Sequence, residues 1–269
     1  MGRSTWGATT APAIRPERQP LRITALALLA CWLVVPAARG QDGKAGQEKA
    51  IAELERLGGQ VFRDETDPEK PVIGLDLDDT KITNKEISSL KGMKDLQSLS
   101  MDRSRITDAG LVNIKGLTSL SDLSLDGTNI TDAGLVQLEG LKNLRKLSLD
   151  ETAVGDAGMA HLRGLNRLQT LSLVSTKVTD AGLAYLKGLT RLEWLLLHDT
   201  QVGDAGLAQL KRLTDLELLI LSKTQVTDAG LKHLKELAHL QLLVVEHTQV
   251  TDAGAQELQK MRPKLRIHN

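Results

Sequence analysis

Cysteine is all but missing from this chain of 269 residues, Cys31 standing alone. No intrachain disulfide can therefore form, and no thiolate cage can be assembled around a metal. Aromatic residues make up only 2%, so the core must be built from aliphatic side chains, and leucine dominates the middle and end of the chain. Neither sign of charge is in surplus, since 34 Lys and Arg stand against 34 Asp and Glu. That balance argues against a nucleic-acid binder, which needs a clustered cationic excess. What is present, 41% hydrophobic and 25% charged residues, is the composition of a globular chain.

Residues 1–40 read as a targeting segment. Arg15, Arg18 and Arg22 precede the apolar run of residues 23–35, and Pro36-Ala37-Ala38-Arg39-Gly40 follows. This order of charged, apolar and small residues is that of a secretory signal, with cleavage expected after Ala37 or Gly40. The run falls short of the roughly 20 residues that cross a bilayer as a helix, so a membrane anchor is the second reading. A lipoprotein signal is the third, because Leu28-Leu29-Ala30-Cys31 resembles a lipobox, although Trp32 to Val35 continue the apolar run past the cysteine. Export without disulfides suits a periplasmic or extracellular bacterial compartment better than a stapled eukaryotic ectodomain.

Repetition decides the fold. Asp-Ala-Gly or its equivalent recurs at Asp108, Asp132, Asp156, Asp180, Asp204, Asp228 and Asp252, each 24 residues after the last, and Asn84 holds the same register in a degenerate first copy. Leucine triplets such as Leu168, Leu171 and Leu173, or close variants of them, precede each copy, and their last two members alternate as in a short strand. A leucine pair at helical spacing follows, as in Leu183 and Leu186. Each unit reads strand, turn, short helix, turn, and cannot bury its apolar face alone. Stacking resolves this, and predicts a right-handed α/β solenoid with a parallel sheet on the concave face, short helices on the convex face and eight helix starts. The expected divisions are a signal at 1–40, a capping helix and turn at 41–71 with Ile51, Leu54 and Leu57 on its apolar face, repeats at 72–262, and a capping strand with Leu265 and Ile267 at 263–269.

The aligned columns suggest structural tasks. The aspartates are placed to accept from the free N–H groups that open each helix, and Thr83 with Glu86 offers a capping box. Thr80, Thr128, Thr152, Thr176, Thr200, Thr224 and Thr248, with Ser104 among them, are expected to form a hydroxyl ladder between neighbouring turns. Gly92, Gly116, Gly140, Gly164 and Gly188 fit helix C-caps, which predicts strain where Arg212 and Glu236 replace them. Lys91, Lys115, Glu139, Arg163, Lys187, Lys211 and Lys235 read as a solvated convex column that complements the helix dipoles. The alternative is a ridge for an anionic envelope polymer.

These units resemble leucine-rich repeats, in particular the cysteine-containing subtype Leu-x-x-Leu-x-Leu-x-x-Cys-x-x-Ile-Thr-Asp-x-Gly-Leu, with Thr in place of Cys, as in Leu168 to Leu183. The resemblance covers residues 72 to about 262 and implies the horseshoe fold and a protein-binding role. Thr-Asp-Ala-Gly-Leu repeats of this kind occur in exported bacterial proteins. The eukaryotic subtype serves substrate recognition in F-box ubiquitin ligases, but no F-box-like helical segment precedes the repeats, so that role would rest on repeat similarity alone.

No nucleophile elbow, P-loop, zincin helix or EF-hand loop occurs, and no catalytic residue, metal site or cofactor is expected. His161 and His233 fall on helices, His198 and His247 near strand ends too far apart for a metal pair, and Asp102, Asp126 and Asp150 stack on adjacent strands and read as unpaired surface charge, a weak cation site being the alternative. The expected site is apolar. Residues facing outward from the strands change from polar to apolar at one repeat, leaving Trp194, Leu196, Leu218, Ile220, Leu242 and Val244 on the concave face, with His198, Ser222 and Glu246 as a polar rim. A protein or peptide ligand, or a second copy of the chain, would dock there.

Overall fold

The computed structural model describes residues 41–269; the expected signal lies outside them. Ten strands form one sheet in chain order: β1 (Gln60–Arg63), β2 (Val72–Asp76), β3 (Ser98–Ser100), β4 (Asp122–Ser124), β5 (Lys146–Ser148), β6 (Thr170–Ser172), β7 (Trp194–Leu196), β8 (Leu218–Ile220), β9 (Leu242–Val244) and β10 (Arg266–His268). β1 pairs antiparallel with β2, and every later neighbour is parallel. α1 (Gln41–Arg56) precedes the sheet. The repeats contribute α2 (Asn84–Ile87), α3 (Asp108–Leu111), α4 (Asp132–Leu135), α5 (Asp156–Leu162), α6 (Asp180–Leu183), α7 (Asp204–Leu207), α8 (Asp228–Leu231) and α9 (Asp252–Met261). Helices thus begin at all eight expected positions, most of them single turns that tighten into 3-10 geometry.

Leucine periodicity explains the packing. In one repeat Leu165, Leu168, Leu171, Leu173, Val178, Leu183 and Leu186 are all fully buried, and the same columns run through the array as one continuous core. Ile51 and Leu54 of α1 close that core at one end, and Leu265 joins it at the other. Val61 and Ile267 pack against it from the flanking strands. Burying a side chain of this size contributes roughly 1.5–3 kcal/mol, and each repeat achieves it only against its neighbours.

Three columns work differently from their sequence reading. The aspartates do not cap their own helices; in α4, α6, α8 and α9 the threonine before does, its hydroxyl accepting from a backbone N–H. The aspartate instead reaches the next repeat. Asp156 Oδ1 accepts the N–H of Thr179 at 2.8 Å and Oδ2 its hydroxyl at 2.7 Å, and the same clasp joins Asp204 to Thr227 and Asp228 to Thr251. The motif's glycine makes room for it, since a Cβ at Gly158, Gly182 or Gly206 would meet the preceding repeat's carboxylate oxygen. The expected capping box at Thr83 and Glu86 is present.

The threonine column forms no ladder between repeats. Each hydroxyl donates back to the carbonyl three residues earlier, as Thr152 to Leu149 at 2.6 Å and Thr176 to Leu173 at 2.7 Å. Ser104, in the same column, is buried with its hydroxyl unpaired. This turn, and not the helix C-terminus, needs left-handed backbone. Asp79, Arg103, Gly127, Glu151, Ser175, Asp199, Lys223 and His247 all have φ between 53° and 63°. Of the supposed C-cap glycines only Gly92 has positive φ, so Arg212 and Glu236 occupy ordinary backbone and carry no strain there.

Candidate functional site

Along each strand the leucines point inward and the residues between them outward. The register stacks three outward columns: Ser98, Asp122, Lys146, Thr170, Trp194, Leu218 and Leu242; then Ser100, Ser124, Ser148, Ser172, Leu196, Ile220 and Val244; then, just past the strands, Asp78, Asp102, Asp126, Asp150, Val174, His198, Ser222 and Glu246.

The second and third columns form a matched set in the first half of the array. Asp78 Oδ1 accepts from the Ser100 hydroxyl at 2.6 Å and the Asp102 N–H at 2.8 Å. Asp102 Oδ1 accepts from Ser124 at 2.6 Å and Asp126 N–H at 2.9 Å. Asp126 receives the N–H of Asp150 at 2.8 Å, and Asp150 receives the hydroxyl of Ser172 and the N–H of Val174 at 2.6 and 2.8 Å. These carboxylates are therefore not unpaired surface charge, as their sequence positions suggested, but rungs of a hydrogen-bonded ladder in which Asp102 is only 8% exposed. Burial, aided by the neighbouring carboxylates, pushes Asp102 and Asp126 up to about 6, and burial raises Asp150 as well.

The ladder explains the change of polarity. An outward serine is needed only where the previous repeat presents an aspartate. Where Val174 ends the aspartate run, the serine column ends one repeat later at Leu196. β7, β8 and β9 then place Trp194, Leu218 and Leu242 side by side, and Leu196, Ile220 and Val244 beside them. Trp194 is 44% exposed; Leu196, Leu218, Ile220 and Leu242 are half-buried around it. Val244 is nearly buried, and β10 lies against β9 with Arg266 beside Leu242 and His268 beside Val244. Of the polar rim, His198 and Glu246 are partly exposed, but Ser222 is buried at 4% and presents no surface. Burial, with Lys223 nearby, lowers the pKa of His198.

Among the described residues no group of three or more His, Cys, Asp or Glu is arranged to hold a metal ion, and no helix is long and apolar enough to cross a membrane. The column of Lys91, Lys115, Glu139, Arg163, Lys187, Lys211 and Lys235 is exposed throughout, with Glu139 bonded to His161 at 2.7 Å.

No protein-family model matches the chain, and no curated protein does. Solved structures do. An internalin C2 from Listeria monocytogenes is 26% identical with a TM-score of 0.58, the match covering 73% of this chain and 80% of that one. The LRR ectodomain of the plant membrane receptor kinase GASSHO1/SCHENGEN3 from Arabidopsis thaliana, solved in complex with Casparian strip integrity factor 2, is 21% identical with a TM-score of 0.55. That match covers 77% of this chain but 25% of the ectodomain. With the ladder of parallel strands and short helices, these likenesses define the fold as an α/β leucine-rich-repeat solenoid.

Proposed function

We propose that the chain is an exported, non-catalytic module that binds a protein or peptide through the outward face of β7, β8 and β9. The observation that carries this reading is Trp194, a large aromatic residue left 44% exposed in the middle of a sheet whose other outward positions there are aliphatic. Such an anchor, flanked by half-buried apolar side chains and edged by His198 and Glu246, has the composition of an interface core with a polar rim. The Arabidopsis ectodomain, captured with its partner, supports a binding role for the fold. The order of residues 15–40 supports export.

Trp194 is the sole tryptophan of residues 41–269, so its fluorescence reports on this face directly. The double variant Trp194→Ala, Ile220→Ser is expected to lose capture of the partner by crosslinking in the organism's envelope fraction while keeping its unfolding transition. If the face closes a homodimer instead, the wild type sediments as a dimer and the variant as a monomer. Capture that survives the double variant but collapses with salt transfers the site to the convex cationic column.

A further inference from the structure

Two other columns, at the entry to the strands, carry cations at one place only. The first runs Asp95, Ser119, Asn143, Arg167, Arg191, Asp215 and His239; the second, two residues later, runs Gln97, Ser121, Arg145, Gln169, Glu193, Glu217 and Gln241. Stacking brings Arg145, Arg167 and Arg191 together around Gln169, and these four residues line a cleft of about 250 Å³ at the entry to β5, β6 and β7. Backbone hydrogen bonds join the repeats that carry it. The Arg145 carbonyl accepts from the N–H groups of Gln169 and Thr170, and the Gln169 carbonyl from those of Glu193 and Trp194.

The three guanidiniums have no anion of their own. Arg56, Arg63 and Arg103 are each met by a carboxylate, but among the described residues no ion pair within 4.0 Å involves Arg145, Arg167 or Arg191. Arg167 is steadied by a neutral partner, donating from Nη1 to Asn143 Oδ1 at 2.6 Å. The nearby acid, Glu193, is engaged by the Gln169 side-chain amide at 2.8 Å. Three like charges gathered on successive repeats repel one another, and a cleft that they leave net positive favours an external anion.

We infer that this cleft binds a doubly charged tetrahedral oxyanion, a phosphate group. Arginine's planar fork suits such oxygens. One fork satisfies a carboxylate's two oxygens; three guanidiniums lining one cleft suit a group that offers oxygens on several sides. Counting Glu193, the local charge is that of a dication, complementary to a phosphate dianion. The volume lies below the roughly 300–1,000 Å³ of sites that enclose drug-sized ligands, so the cleft takes a free phosphate or a phosphate group on a larger molecule whose remainder stays outside. This site is independent of the apolar face.

Titration calorimetry at neutral pH and low ionic strength tests it, using inorganic phosphate, methyl phosphate, sulfate and acetate as probes. The expected result is saturable binding of phosphate and sulfate, weakened about tenfold, or one charge-assisted hydrogen bond, in Arg191→Gln and in Arg167→Gln. Arg163→Gln on the convex column should bind as the wild type does. Methyl phosphate binding as well as phosphate assigns the site to an esterified group, and a clear preference for inorganic phosphate assigns it to the free anion. Acetate binding as tightly as phosphate, an equal loss in Arg163→Gln, or no saturable binding of any dianion overturns the assignment. Thermal unfolding of each variant checks that these exposed substitutions leave the fold intact.

Discussion

Asp108 holds Thr131 of the next repeat with both of its carboxylate oxygens: Oδ1 accepts the backbone N–H at 2.8 Å and Oδ2 accepts the hydroxyl at 2.6 Å. A residue that opens one helix thereby fixes the residue that caps the following one. Where glycine replaces the threonine, at Gly155 and Gly203, only the N–H half of the clasp remains, at 2.7 and 2.6 Å.

That difference predicts a graded response. Asp156→Ala leaves both donors of Thr179 unanswered and should cost about 1–3 kcal/mol, read by urea unfolding. Asp180→Ala, facing Gly203, should cost less. Gly203 has extended backbone with φ of −126°, and a Cβ there meets only ordinary contacts, Asp180 Oδ2 at 3.5 Å among them. Gly203→Thr should therefore stabilise by about 0.5–1.5 kcal/mol, and the gain should shrink to the capping contribution alone in the Asp180→Ala background.

The motif's glycine is predicted to be intolerant for a steric reason. A Cβ at Gly182 lands on the Asp156 carboxylate and on Met159 Cγ at 3.1 Å. Gly182→Ala should destabilise by about 1–3 kcal/mol as overpacking does, despite alanine's better helix propensity. A variant as stable as the parent in urea would show that the clasp can move aside.

Left-handed turns offer a further measurement. Glu151 has φ of 56° and Gly127 φ of 63° at equivalent positions. Glu151→Gly should be neutral or stabilising by up to about 1 kcal/mol, and Gly127→Ala destabilising by about 1–2 kcal/mol. Opposite signs in thermal unfolding are the expected outcome.

The buried aspartate ladder makes stability depend on pH. Asp102 and Asp126 are raised from 3.8 to about 6, so between those values the folded chain holds protons that the unfolded chain has lost. Stability should then decline as pH rises through this interval, with the full penalty present at pH 7. Asp102→Asn keeps an acceptor for Ser124 and for the Asp126 N–H but removes the charge. It should gain about 1–2 kcal/mol at neutral pH and flatten the profile. Denaturant unfolding at a series of pH values reads both effects, and an unchanged slope would mean that these carboxylates titrate normally.

The repeat, its strands and its helix starts were legible because every copy repeats the same inward leucines at the same spacing, which leaves one way to stack them. What escaped was the direction of polar side chains. Asp180 before an apolar helix has the pattern of a cap, and only the stacked neighbour reveals that its oxygen turns to Gly203. Thr152 similarly bonds within its own turn because Glu151 bends the chain back beneath it. Asp102 looked like surface charge because its partner, Ser124, lies 22 residues away in the next repeat. Trp194 and its aliphatic neighbours could be placed on one face from alternation alone, whereas the burial of Ser222 and the strand beyond Leu242 could not. Arg145, Arg167 and Arg191 form a cluster only after two separate columns are laid over each other.

A constant 24-residue period also makes distance on this surface a whole-number quantity. One strand, β6, separates the last aspartate rung at Asp150 from Trp194, and each strand adds roughly 4.8 Å. Splicing in a further copy of that intervening unit would move the apolar face away from the acidic one by a single increment and leave each of them internally unaltered. A partner that grips only one face would be indifferent to the change; a partner that spans both would read it as a ruler lengthened by one mark.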